Sequence, residues 1–232
     1  MGVTEPLAPT VGWGVLHLFC KLGDSPDTEA VIQAVKDAQD DDVQVVSVAI
    51  LGHKADLGFM ALTPDLWRLR RLQSDLQAAG LLVVDSYVSM TELSEYSQGV
   101  PEPMRSARLH PNLPPEGMTA FCFYPMSKRR GDLEGSNWYA ESYDERKRMM
   151  YAHGASGREF AGRILQVVTG STGIDDWEWG VTLFAVHPDD LKACVYTMRF
   201  DEASTRFGEF GPFLTGMVAP VEEVLTQVLP RA

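Results

Sequence analysis

Apolar and polar positions change period several times along the chain, and each change marks a new element. Residues 12–22, GWGVLHLFCKL, carry apolar side chains at Val15, Leu16, Leu18 and Phe19 and predict a strand. Ser25 and Pro26 then open a helical stretch with Ala30, Val31, Ala34, Val35 and Ala38 on one face. Two short β-like runs follow, VQVVSVAILG and LGFMAL, separated by HKAD. Thr63 and Pro64 start a second helix with a Leu66, Leu69, Leu72, Leu76 stripe, and Gly80 stops it. LLVVDSYVSM reads as the closing strand, so this half has the order β-α-β-β-α-β.

After a stretch rich in Ser, Glu, Pro and Gly, the same order returns. MTAFCFYP predicts a strand. SYDERKRMMYAHG predicts a helix with a Ser142/Glu145 capping box and Gly154 just past its end, continued by a short helix over SGREFAG. RILQVVTG and WGVTLFAV predict strands, HPDDLKACVYTMRF a helix, and GPFLTGMVA a last strand. The expected organisation is an N-terminal ferredoxin-like unit over 1–92, a linker over 93–117 and a second unit over 118–232. Helices on one face of each sheet leave the other face apolar. Packing the two sheets together buries both, as a paired α+β barrel.

The bulk numbers narrow the function. The net charge of −12 argues against a general nucleic-acid binder or a protein of anionic membrane surfaces. It leaves room for an anionic small molecule, because charges are screened beyond about 8 Å at physiological salt. Three scattered cysteines give neither a disulfide framework nor metal-ligand spacing and point to reduced thiols. The start of the chain lacks a signal-peptide pattern, and no apolar run has transmembrane length, so the expected location is the cytoplasm.

Nucleotide, phosphate-loop and nucleophile-elbow motifs are missing, as is a histidine pair at zinc spacing. His153 reads either as a helix-end histidine favoured by the helix dipole or as a single metal ligand. The second reading requires another scaffold, such as a porphyrin, to supply the remaining ligands. Tyr124 is either a half-buried strand tyrosine or, beside Lys128, a proton donor or oxidisable phenol. Lys128, Arg129 and Arg130 are ordinarily a solvated loop. With Arg199 and Ser204 they could instead recognise carboxylates, each charge-assisted hydrogen bond contributing roughly 1.5–3 kcal/mol. Gln166, in an apolar strand, either bonds internally or faces a polar cavity.

Three long motifs in order, CFYPMSKRR…NWY, HGASGREFAGRILQVVTGSTGIDDWEWGVTLF and MRFDEASTRFGEFGPF, closely resemble the coproheme decarboxylases of the chlorite dismutase-like superfamily. The match is dense over 118–218 and looser in the first half. The resemblance implies a haem enzyme that uses hydrogen peroxide to convert two propionates of iron coproporphyrin III (coproheme) to vinyls, giving haem b. It implies that Tyr124 is oxidised to a radical that takes hydrogen from the propionate β-carbon, with Lys128 by the reacting propionate as proton partner and electrostatic guide. His153 would be the proximal iron ligand, and Gln166 would stand where chlorite-degrading relatives have an arginine. Met126 would line the porphyrin edge, Arg199 and Ser204 would bind retained propionates, and Trp138 would share oxidising equivalents. Arg108 matches a further propionate-binding arginine, although PNLPPEGM adds two residues after it and RRGDLEGSNW is also longer. The resemblance further implies a homopentamer and leaves a coproporphyrin ferrochelatase as a candidate partner. The alternatives are a chlorite-degrading or peroxidase-like haem enzyme and a non-catalytic haem carrier.

Overall fold

The computed structural model describes residues 5–97, 99–132 and 137–229. The first unit comprises β1 (Gly14–Leu22), α1 (Thr28–Asp40), β2 (Gln44–Ile50), β3 (Leu57–Thr63), α2 (Leu66–Ala78) and β4 (Leu81–Thr91). Its helices begin at aspartates. Asp27 accepts from the Ala30 amide at 3.0 Å and Asp65 from the Trp67 amide at 3.1 Å, so capping wins over the neighbouring Ser25-Pro26 and Thr63-Pro64 signals. Gly80, at φ +90°, provides the left-handed turn that ends α2.

The second unit runs β5 (Ala120–Lys128), a 3-10 turn (Trp138–Ala140), α4 (Tyr143–Arg158), β6 (Ile164–Gly170), β7 (Trp179–Ala185), α5 (Pro188–Met198), α6 (Glu202–Phe207), β8 (Gly208–Phe210), β9 (Leu214–Val218) and α7 (Val221–Val228). Between the units, the expected linker carries α3 (Glu102–Leu109). It is tied to the barrel where Thr91 Oγ1 donates to the Leu109 carbonyl and the Gln44 amide bridges Pro111 and Leu113.

Each unit forms an antiparallel four-stranded sheet, β4-β1-β3-β2 and β6-β7-β5-β9. The sheets join where Thr91 pairs Thr169 and where Ile50 pairs Gly216, closing eight strands, with β8 extending the edge of β5. Gly216 allows that closure, since a Cβ there would collide with the Ala49 carbonyl.

The barrel interior is one shared core. Phe19, Val48 and Met60 from the first sheet pack with Phe121, Phe123 and Phe184 from the second. Each such side chain contributes about 1.5–3 kcal/mol by leaving water. The outer face of the first sheet is covered by α1, α2 and α7. The outer face of the second is covered by α5 and left partly open at β6, where Val168 is exposed. That opening positions the site.

Candidate functional site

Ser142 caps α4 by accepting from the Glu145 amide at 3.3 Å, and the helix then runs straight through Gly154 to Arg158. A Cβ at Gly154 would meet nothing nearer than an Arg158 guanidinium nitrogen at 3.6 Å, so nothing local demands a stop there. This corrects the expected helix end. His153 lies more than a turn inside the helix, where the dipole effect at the C-terminus has faded.

His153 is held by a carboxylate instead. Asp201, the N-cap of α6, places Oδ2 2.9 Å from His153 Nδ1. The same carboxylate accepts from the Ser204 amide at 3.0 Å and the Ser204 hydroxyl at 3.1 Å. Burial pushes the Asp201 carboxyl up, but the hydrogen bond and charge of His153, with the two bonds from Ser204, more than offset it and hold it below its ordinary value. A carboxylate accepts only, so Nδ1 carries a proton, and in the neutral imidazole this tautomer puts the lone pair on Nε2. Nε2 has no hydrogen-bond partner among the described residues. A fixed tautomer with a free Nε2 is the arrangement that metal-ligating histidines use.

Strand alternation builds the second part of the candidate site. Cys122 and Tyr124 of β5 share their face with Val181 and Leu183 of β7, and Met126 packs against the same cluster. Gln166 pairs across β6–β7 with Leu183 and is exposed beside Val168, so it lies on the open part of this face rather than in the barrel core. Tyr124 is 7% exposed, stacked on Phe213 at 4.5 Å with Phe210 edge-on at 5.8 Å. Burial pushes its phenol well above the ordinary value; Cys122 and Cys194 add to the shift and Arg199 opposes it. Arg199 caps α5 over the Phe210 ring. It borders a cavity of about 390 Å³ lined by Cys122, Leu191, Val195, Tyr196 and Phe213.

Lys128 falls on the Tyr124 face by alternation, and its ammonium has two partners of its own. It donates to the Ala203 carbonyl at 3.1 Å and lies 4.8 Å from the centre of the Trp138 ring. Trp138 is buried with Met149, Ala203 and Phe207, so both residues stand with the α4–α6 contact that carries His153 and Asp201. Ser204 is likewise committed to Asp201. Arg108 lies exposed on α3, bonded to Ser97 at 2.9 Å, and the structure does not bring it to Tyr124 or His153. Of the long RRGDLEGSNW loop, residues 133–136 lie outside the described residues. Arg130, read from sequence as a solvated charge, is paired with the buried Glu178 at 2.6 Å.

Burial lowers the Lys128 pKa to about 8, with Asp201 and Glu178 opposing the shift. Between about pH 8 and 10.5 Lys128 therefore binds more protons in the unfolded chain than in the folded one, and its own contribution to stability rises with pH. The gain across that window is about 3 kcal/mol. Chemical denaturation at several pH values should show it as a wild-type minus Lys128→Met difference that grows across that window. Parallel pH curves for the two proteins would contradict it.

Asp201 and Glu178 are the functional-site residues that sequence reasoning missed. Asp201 had a local signal, an aspartate three residues before a serine at a helix start. Its contact with a histidine 48 positions away had none.

Among the described residues no group of three or more His, Cys, Asp or Glu side chains could hold a metal unaided. The residues present fit a ligand that brings its own equatorial donors: one imidazole with a free Nε2, an open face mixing apolar side chains with an amide, and a nearby guanidinium. Barrel and site together define a paired α+β barrel protein in which one histidine is oriented by a buried carboxylate. The chlorite dismutase family matches residues 26–219, and the chain belongs to that family. It is 42% identical to the coproheme decarboxylase of Staphylococcus carnosus, over 93% of this chain and 95% of that one. Among solved structures it is similar to a heme-binding protein from Thermus thermophilus, at 35% identity and TM-score 0.84, covering 98% and 99% of the two chains. It shares the fold of chlorite dismutase from Candidatus Nitrospira defluvii in complex with imidazole, at 18% identity and TM-score 0.75, covering 95% and 96%. No helix among the described residues is long and apolar enough to cross a membrane.

Proposed function

We propose that this chain is a peroxide-dependent coproheme decarboxylase that converts two propionates of its substrate to vinyls and yields haem b. The observation that carries the reading is the His153–Asp201 pair, which holds the imidazole through Nδ1 and leaves Nε2 without a partner among the described residues. The 42% identity to a coproheme decarboxylase over nearly the whole chain supports it.

Bound coproheme supplies the iron at which peroxide is reduced. The chain's own residues do the rest. His153 ligates through Nε2, and Asp201 holds its Nδ1 proton. Tyr124, once oxidised, takes a hydrogen atom from the propionate β-carbon. Loss of a second electron then releases carbon dioxide and leaves the vinyl. Each propionate gives up two electrons and each peroxide accepts two, becoming two waters. Arg199 is the cation assigned to retained propionates, and Arg108 on α3 is the candidate for another. Met126 lines the porphyrin edge. Ser204 acts through Asp201, and Lys128 is the proton partner and electrostatic guide of the reacting propionate, with Trp138 over it as a further holder of oxidising equivalents. The same reading includes a cytoplasmic homopentamer supplied by a coproporphyrin ferrochelatase, and those parts rest on the family resemblance.

Gln166 weighs against chlorite chemistry, because a neutral amide gives a developing anion less stabilisation than a guanidinium. The test mixes the protein with iron coproporphyrin III, adds peroxide stepwise and follows products by mass. Successive loss of two carboxyl groups is expected. Tight binding followed only by bleaching would make the protein a carrier.

A further inference from the structure

Glu178 is a nearly buried carboxylate at the start of β7, with a side chain 8% exposed. An unpaired charge in such a place costs several kcal/mol, and Glu178 answers that cost with donors from one loop. Its Oε2 accepts the backbone N–H of Lys128 at 2.8 Å. Its Oε1 accepts from Arg130 Nη2 at 2.6 Å and from the Tyr139 hydroxyl at 2.5 Å. The Arg130 guanidinium lies over the Tyr139 ring, 4.9 Å from its centre. Around this hub the Trp138 amide donates to the Arg129 carbonyl at 3.0 Å, Arg130 bridges Asn137, and the Arg129 amide donates to the Phe207 carbonyl of α6 at 2.7 Å.

We propose that Glu178 is a positioning residue: its carboxylate locks residues 128–130 onto 137–139 and so fixes Lys128 and Trp138 against the α6 end that carries Asp201. The chemistry requires a carboxylate. Both oxygens accept, and each meets its own donors. A glutamine of the same shape would point its NH2 at one set of donors and leave that set unpaired. Burial and the bond to Glu178 push the Tyr139 phenol up, so it stays a donor at any working pH. Trp138 transmits the constraint. Its ring meets Phe207 edge-on at 5.2 Å and packs with Met149, one turn before His153 on α4. Glu178 thus acts on the ligand side of the site without reaching substrate.

The consequence for turnover rests on the decarboxylase reading; the clamp itself does not. The test compares wild type, Glu178→Gln, Tyr139→Phe and the double variant. Amide hydrogen exchange, measured without substrate, should speed about tenfold or more at 128–130 and 138–140 in Glu178→Gln while exchange in the barrel strands is unchanged. Decarboxylation by the same variant should lose about tenfold or more in kcat, with KM for coproheme within about threefold. Tyr139→Phe should lose less, and the double variant should lose no more than Glu178→Gln alone. Unchanged exchange would overturn the clamp, and faster exchange with unchanged kcat would overturn the positioning role. Should Glu178→Gln fail to fold, Tyr139→Phe, at a half-exposed position, carries both readouts, and wild-type values in it would overturn the proposal. A wild-type protein that binds coproheme without turning it over would sink the decarboxylase reading, and exchange would still decide the clamp.

Discussion

Replacing Tyr124 by phenylalanine should abolish decarboxylation while leaving coproheme binding within about threefold of wild type, a rate loss of at least about 10³-fold, or roughly 4 kcal/mol in the barrier. The substitution removes one oxygen and keeps the ring. That ring is held by the Phe213 stack and the Phe210 edge contact, both of which phenylalanine preserves. The hydroxyl makes no hydrogen bond among the described residues, so its loss strands no donor or acceptor and the fold should be little changed. What disappears is the O–H bond. Burial holds the phenol protonated, well above its ordinary pKa, so it cannot serve as a standing phenolate. It can act only by giving up an electron and a proton together and then recovering a hydrogen atom from substrate. Phenylalanine has no comparably weak bond to offer. Single-turnover peroxide titration, read by mass, checks this. Normal vinyl formation by Tyr124→Phe would remove the relay, and lost binding would make Tyr124 a docking residue instead.

The sequence made the fold legible because each half needs its sheet buried on both faces, and the period changes mark strand and helix in a repeated order. Several local details escaped for physical reasons. Glycine at 154 suggested a stop, but helix interiors tolerate glycine at a cost of about 1 kcal/mol, and α4 continues to Arg158. Helix α7 had a usable signal in Val221, Val224 and Leu225 after Pro220, which bury against the first unit's core. Helix α6, at six residues, is too short to show a period.

The site divided along a different line. Tyr124 and Met126 share a face by alternation alone, whereas Gln166 joins that face only through the β5–β7 and β7–β6 registers. Lys128 follows the same alternation, and only tertiary structure shows that its long side chain ends under Trp138 at the Ala203 carbonyl. Asp201 and Glu178 gather partners 48 and 50 positions away, and no local pattern encodes those meetings. The resemblance carried residue types in order; it could not say which of them touch.

His153→Ala should remove the protein's ligand to the iron and change the absorbance of the coproheme complex outright, with affinity falling about 10- to 100-fold as in other losses of ligand-set interactions. Binding should persist in part, because Arg199 and the apolar face remain. Added imidazole should restore much of the original spectrum, since it can occupy the space left by the side chain and donate to Asp201 in its place. Asp201→Asn is the sharper probe. An amide can still accept from Nδ1–H through its oxygen, or present its NH2 and favour the other tautomer, which moves the proton onto Nε2 and blocks ligation. Asp201 also caps α6 through Ser204, so some loss of stability, about 1 kcal/mol, accompanies the change. If His153 is the ligand and Asp201 its holder, His153→Ala alters the spectrum and responds to imidazole, while Asp201→Asn weakens the ligand bond without emptying the position. An unchanged spectrum in well-folded His153→Ala would take the histidine out of the site, and with it the reason for Asp201, Trp138 and Lys128 to gather where they do.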